Sequence, residues 1–127
     1  MKLEHIAINV PNPAEFAQWL VANLGMRIVV SSASAPFMHF VADEAGSMIE
    51  IYNNTAAPVP NYKEVDPFNL HLAFASSDIE ADCAKLVAAG ATMHNAIATN
   101  AVGDKLVFLR APNGVPLQFV QRKQPLL

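Results

Sequence analysis

The chain has 127 residues, of which 53% are hydrophobic and 15% charged, and its formal net charge is −3. This length is typical of one domain, and the high apolar and low charged content excludes an intrinsically disordered chain. No run of Lys and Arg could follow a phosphate backbone and no apolar stretch reaches the roughly 20 residues that cross a bilayer, so we expect neither nucleic acid nor a membrane as a partner.

The first half of the chain predicts one helix and four strands in the order βαβββ. Apolar and polar side chains alternate over residues 3–10 (LEHIAINV), which is typical of a strand. Asn12 can cap and Pro13 can open a helix that Gly25 ends. Three further strands are predicted at residues 27–31, 37–42 and 47–53.

The second half repeats this order after a loop rich in Asn, Ala and Pro at about residues 54–67. A strand at 68–75 precedes a helix that Ser77 or Asp78 caps and Gly90 ends, and strands follow near 91–95, 105–110 and 115–121. We therefore expect a single domain over residues 1–127, with module one at about 1–53, a linker at about 54–67 and module two at about 68–121.

Matching residues recur at a nearly constant separation of 65 to 68 residues. The matched pairs are His5 and His71, Gly25 and Gly90, Phe40 and Phe108, Gly46 and Gly114, and Glu50 and Gln118. Because neither half can bury its sheet alone, the pattern predicts an α+β fold of two βαβββ modules related by a pseudo-twofold, forming a curved mixed sheet around a cleft. The modules could pair within one chain or across a dimer, and we expect a homodimer in either case.

Four polar residues, each on the first or last strand of a module, lie opposite the bulky apolar residues of their strands. They are His5, Glu50, His71 and Gln118, and the apolar sets are Ile6/Ile8, Ile49/Ile51, Leu70/Leu72/Phe74 and Leu117/Phe119. The apolar sets should pack under the helices, which leaves the four polar groups on the other face, where the pseudo-twofold would bring them to a common centre. Two imidazoles and a carboxylate suit Zn²⁺, Ni²⁺, Co²⁺, Fe²⁺ or Mn²⁺, and an amide oxygen can add a further ligand. His39 and His94 have no counterpart in the other half, so we assign both to surface or packing roles.

Five sequence motifs resemble the glyoxalase/bleomycin resistance/extradiol dioxygenase (vicinal oxygen chelate) superfamily over essentially the whole chain. They are LEHIAINV, LGM, MIEIY, NLHLAF and GDKLVFLRAPNGVPLQFVQ. Within that superfamily the sequence is most similar to bacterial-type glyoxalase I, whose metal ligands occur in the order His, Glu, His, Glu. His5, Glu50 and His71 match this order, and Gln118 stands where that enzyme has Glu.

The glyoxalase resemblance implies that metal-associated glutamates carry the substrate proton. An amide cannot accept a proton near neutral pH, which leaves Glu50 as the catalytic residue. Methylmalonyl-CoA epimerase, a relative, also uses two His, one Gln and one Glu, with the Gln and Glu in the opposite halves. Glyoxalase I further implies cations for glutathione carboxylates, for which Arg27, Lys105 and Arg110 are candidates.

The resemblance leaves three functions open. The first is a metal-dependent lyase or isomerase of the glyoxalase I or epimerase type, acting on a small oxygen-chelating substrate. The alternative is a metal-free protein of the bleomycin resistance type that binds or sequesters a small molecule. The third is a ring-cleaving dioxygenase, which the chain resembles less because the carboxylate of those enzymes lies on the last strand, where Gln118 stands.

The sequence also indicates a reducing environment. Cys83 is the only cysteine and lies on the second predicted helix, where we expect a small buried apolar side chain. The opening MKLEHIAINV carries Glu4 and His5 where a signal peptide needs an unbroken apolar stretch. We therefore expect a cytoplasmic protein.

Overall fold

The computed structural model describes residues 1–127 and divides the chain into two units, Met1–Pro60 and Asn61–Leu127. The division falls within the segment 54–67 that composition marks as a linker. Neither helix of the chain has the length and apolar character that crossing a membrane requires.

The first unit contains one helix and four strands in the expected order βαβββ. They are β1 (Ile6–Asn9), α1 (Pro13–Leu24), β2 (Arg27–Ser31), β3 (His39–Ala42) and β4 (Met48–Tyr52). The strands form one sheet in the order β1-β4-β3-β2, in which β1 runs parallel to β4 and the other pairs are antiparallel.

Helix α1 has the predicted bounds because both ends carry strong local signals. Pro13 stands at the first position, and Gly25 adopts the left-handed conformation (φ 67°) that ends many helices. The buried side chains of α1 include Phe16 and Leu20, and the helix contacts β2, β3 and β4. Asn12 occupies the N-cap position, but its side chain makes no capping hydrogen bond, so the predicted cap is wrong.

The second unit repeats this arrangement with one additional strand. Its elements are β5 (Leu72–Ala75), α2 (Ile79–Ala88), β6 (Thr92–Met93), β7 (Ala98–Thr99), β8 (Lys105–Arg110) and β9 (Pro116–Gln121). The sheet order is β5-β9-β8-β6, β5 is parallel to β9, and the unpredicted β7 pairs with β8. Asp78 caps α2 by accepting a hydrogen bond from the Ala81 backbone N–H at 3.1 Å.

Six of the nine residues expected on the apolar face are buried, Phe74 is half-buried, and two are exposed. Ile8, Ile49 and Ile51 are buried in the first unit, as are Leu72, Leu117 and Phe119 in the second. Ile6, at the start of edge strand β1, is 50% exposed, and Leu70 lies outside β5 and is 36% exposed. Placing these two under the helices was therefore wrong.

Candidate functional site

The ladders give the polar residues of the two units equivalent positions. Glu50 lies in β4 and Gln118 in β9, each in the strand next to the first strand of its unit. Their ladder partners are Ala7 and Phe40 for Glu50, and Ala73 and Phe108 for Gln118. His5 immediately precedes β1 and His71 immediately precedes β5. The residues that match between the two halves of the sequence therefore also have equivalent strand partners in the two sheets.

The first half-site consists of Glu4, His5, Phe40 and Glu50. Nδ1 of His5 hydrogen-bonds to the Glu4 carboxylate, and Nε2 lies 3.3 Å from Oε2 of Glu50. The imidazole meets the ring of Phe40 edge-on, with centroids 5.2 Å apart. The side chains of His5 and Glu50 are only 32% and 21% exposed, so the pair is half-buried at the end of the sheet.

The second half-site consists of His71, Phe108 and Gln118. Nδ1 of His71 lies 2.6 Å from the carbonyl oxygen of Pro67, and its ring meets Phe108 edge-on at a centroid distance of 5.2 Å. Phe68, which is 84% exposed, also meets Phe108, with ring centroids 5.4 Å apart. Gln118 is half-buried in the middle of β9.

The hydrogen bond of His71 determines which of its two ring nitrogens is available. A carbonyl oxygen only accepts, so Nδ1 of His71 carries the proton and Nε2 of the neutral ring keeps its lone pair. In His5 both ring nitrogens face a carboxylate, Nδ1 that of Glu4 and Nε2 that of Glu50, so its contacts do not select one tautomer. Metal-binding histidines have the arrangement seen at His71, with one nitrogen donating to an oxygen and the other facing the ion.

The field at the first half-site favours a cation. The hydrogen bond to Glu4 raises the pKa of His5; partial burial opposes this shift, and the negative charges of Glu4 and Glu50 add to it. A proton or a metal ion is stabilised at this ring for the same reason, because two carboxylates face it. Glu4 was not predicted as a site residue, and its only sequence signal is its position next to His5.

The sequence matches the family model of the glyoxalase/bleomycin resistance protein/dioxygenase superfamily over residues 2–119. The chain belongs to this superfamily. The comparison with curated proteins found no match.

Solved structures of similar fold include members of the superfamily. A glyoxalase family protein from Bacillus cereus aligns with a TM-score of 0.81 at 13% identity, covering 95% of this chain and 93% of that one. TnmS3, an antibiotic binding protein from Streptomyces sp. CB03234, aligns with a TM-score of 0.73 at 16% identity, covering 97% of both chains. A glyoxalase family protein from Enterococcus faecalis has 25% identity and a TM-score of 0.69, covering 94% of this chain and 97% of that one.

The ligand set expected from the superfamily is present as two pairs of residues. His5 faces Glu50 in the first unit, and His71 and Gln118 hold the equivalent positions in the second. No group of three or more His, Cys, Asp or Glu side chains stands in an arrangement that could hold a metal ion. Two imidazoles and a carboxylate are nevertheless donors of the kind that a divalent transition metal ion requires.

Two of the three cations considered for substrate carboxylates are already engaged. Arg110 donates to the backbone carbonyls of Tyr62 at 2.7 Å and Val65 at 3.0 Å. Lys105 Nζ lies 2.7 Å from Oε1 of Glu80. Arg27, at the start of β2, is exposed and remains a candidate.

Proposed function

We propose that this protein is a metal-dependent lyase or isomerase of the glyoxalase I or epimerase type, acting on a small oxygen-chelating substrate. The observation that carries the proposal is the state of the two histidines. Both sit just before the first strand of their unit, and both have Nδ1 bonded to an oxygen acceptor. Nε2 of His71 keeps its lone pair for an ion, and Nε2 of His5 faces Glu50, the other proposed ligand of its unit.

In this proposal His5, Glu50, His71 and Gln118 are the ligands of a divalent transition metal ion. Such an ion, when bound, supplies Lewis acidity that stabilises an enediolate or similar oxyanion of the substrate. Glu50 moves the proton: Oε2 faces His5, which leaves Oε1 to take a proton from the substrate carbon and return it. Gln118 binds through its amide oxygen and carries no base.

The metal site is tested first by elemental analysis of protein purified without a metal-affinity tag. We expect about one transition metal ion per chain, together with a melting temperature that a chelator lowers. His71→Ala should remove both effects. His94→Ala is the matched control, because His94 is exposed and makes no side-chain hydrogen bond. The proposal would be contradicted if the purified protein contained no metal and no added divalent ion raised its melting temperature.

The proton-transfer role is tested with Glu50→Gln, assayed on hemithioacetal and acyl-CoA substrates. The change removes the base and keeps the shape, so turnover should fall by at least about 100-fold while the fold is retained. Glu44→Gln removes the same charge from an exposed turn and should leave turnover unchanged. Full activity in Glu50→Gln would exclude this residue as the base.

A second candidate is a metal-free protein that binds or sequesters a small molecule. Phe68 is 84% exposed beside Phe108 and His71, an arrangement that suits contact with an apolar or aromatic ligand. Similarity of fold to the antibiotic binding protein TnmS3 is compatible with this role. This second function predicts that a chelator changes neither the melting temperature nor the ligand affinity, and that Phe68→Ser weakens ligand binding. We do not propose a dioxygenase, because Gln118 replaces the carboxylate of the last strand.

A further inference from the structure

The histidines of the two half-sites differ in the oxygen that faces Nδ1. In His71 it is the backbone carbonyl of Pro67, a neutral group. In His5 it is the carboxylate of the adjacent residue, Glu4. Leu70 occupies the position of Glu4 in the second half and has no acceptor in its side chain. The group at Nδ1 is therefore a point at which the two halves depart from their repeat.

The local backbone explains this difference. A turn over residues 66–70 brings a backbone carbonyl to His71. Residues 1–5 form no turn, and no backbone hydrogen bond joins them to one another. A carbonyl is therefore not delivered to His5 in the same way, and the side chain of Glu4 supplies the acceptor in its place.

Glu4 also gives the first half-site a second negative charge. Oε2 of Glu50 lies 3.3 Å from Nε2 of His5, so the imidazole stands between two carboxylates. Of the four proposed ligands only Glu50 is charged, because Gln118 is a neutral amide. One carboxylate ligand leaves a divalent ion with one positive charge that is not offset. A second carboxylate, bonded to Nδ1 of the ligand imidazole, offsets that charge by a charge-assisted hydrogen bond.

The fold itself has little use for Glu4. Its side chain is 66% exposed and lies just before β1, outside the strand ladder, and His5 is its hydrogen-bonding partner. Exposed carboxylates of this kind contribute little to stability. Substitution of Glu4 should therefore leave the protein folded, so that an effect on the site can be measured directly.

We infer that Glu4 is a positioning residue of the proposed metal site, which holds the Nδ1–H of His5 and supplies the second negative charge. This inference rests on the proposed metal-dependent function. Glu4 is not itself a ligand: a histidine that binds an ion through Nε2 carries its proton on Nδ1, and the carboxylate accepts that proton in a hydrogen bond. Partners of this kind change metal affinity by about 10–100-fold.

The first measurement is the affinity for Zn²⁺ alone, by competition with a fluorescent chelator. Glu4→Ala removes both the acceptor and the charge and should weaken zinc binding by about 10–100-fold. Glu4→Gln keeps an acceptor oxygen without the charge and should have an intermediate affinity. Glu44→Ala removes a carboxylate from an exposed turn of the same unit and should leave the affinity unchanged. Equal zinc affinity of wild type and Glu4→Ala would overturn the inference.

A double-mutant cycle tests whether Glu4 acts through the imidazole. In the His5→Ala background, Glu4→Ala should cause no further loss of zinc affinity. An equal loss in both backgrounds would overturn the positioning role, because a carboxylate that attracts the ion by its charge alone does not need the ring.

NMR of the histidine side chains in zinc-loaded protein gives a readout that does not depend on affinity. The Nδ1–H signal of His5 should lie far downfield in wild type and be lost to exchange with water in Glu4→Ala. The Nδ1–H signal of His71 should remain in both proteins, because its acceptor is a backbone carbonyl. A His5 signal that is unchanged in Glu4→Ala would contradict the inference.

These results are separable from those on the proposed reaction. Zinc affinity that depends on Glu4, in a protein without turnover on hemithioacetal or acyl-CoA substrates, would support the positioning role and contradict the lyase or isomerase. Wild-type protein that binds no zinc would contradict both.

Discussion

Asp104 is the one buried carboxylate, and its bonds connect the loop before β8 to the end of the chain. Oδ2 lies 2.8 Å from Nη1 of Arg122, and Oδ1 accepts from the backbone N–H of Lys123 at 2.9 Å. The Lys123 N–H, and after it the Arg122 guanidinium, hold the pKa of Asp104 below its ordinary value near 3.8. The stability that this carboxylate supplies is complete above that value and is lost as the pH falls through the lowered pKa.

Asp104→Asn should therefore lower the melting temperature at neutral pH and flatten the acid limb of the stability profile. The difference from wild type should shrink below about pH 4, because both proteins then carry a neutral group at this position. Melting curves from pH 2 to pH 7 measure this, with Glu44→Gln as the control for loss of one negative charge. A constant difference across that range would mean that the charge of Asp104 contributes nothing.

The identity of the candidate site residues followed from the sequence, but their hydrogen bonds did not. Repeat position and strand parity indicated His5, Glu50, His71 and Gln118. The acceptor that fixes His71 is the carbonyl of Pro67, four residues earlier, and it is in reach only because residues 66–70 turn. Alternation of apolar residues contains no information about that turn, so no pattern could have predicted the tautomer.

At the scale of elements, two glycines at equivalent places in the repeat differ in what surrounds them. Gly46, before β4, and Gly114, before β9, both have strongly positive φ, 91° and 89°. A Cβ at Gly46 would meet nothing within 4 Å, whereas one at Gly114 would lie 2.8 Å from the backbone nitrogen of Lys63. The two positions therefore separate backbone strain from steric overlap.

Gly46→Ala should lower the free energy of unfolding by about 1 kcal/mol, from the left-handed conformation alone. Gly114→Ala should lower the free energy of unfolding by that amount and by roughly 1–3 kcal/mol more, because the backbone at Lys63 must shift. Urea unfolding of both variants measures the difference. Equal losses would show that the segment around Lys63 moves aside at no cost.

Helix α1 and strands β2 and β8 have the predicted bounds, whereas β5 is shorter than predicted and β7 was not predicted. Helix α1 begins at a proline and ends at a glycine, and both bounds are as predicted. Strand β5 begins at Leu72 and not at residue 68, because Asp66 accepts hydrogen bonds from the backbone N–H groups of Phe68 and Asn69 and forms a turn. Strand β7 has only two residues, too few to produce a periodic signal.

At the scale of the whole molecule, one feature of the first unit, its exposed apolar edge strand β2, supports the expectation of a homodimer. Strand β2 is one edge strand of the first sheet, and β1 is the other. It exposes two adjacent apolar side chains, Val29 at 43% and Val30 at 49%, near a register irregularity between Ile28 and Val30. Edge strands of monomeric proteins usually carry charges or prolines at such positions, and β2 carries one charge, at Arg27.

Val30→Lys should therefore weaken association of two copies while leaving the unit folded. A lysine at an exposed edge position costs little in the monomer, but in a dimer that covers β2 it would bury an unpaired charge. Sedimentation equilibrium should give a dimer mass for wild type and a mass nearer the monomer for the variant at the same micromolar concentration. Val102→Lys adds the same charge at a 69% exposed turn in the second unit and should remain dimeric. If wild type sediments as a monomer, the valines of β2 are simply tolerated; if Val30→Lys stays dimeric, the contact lies on another surface.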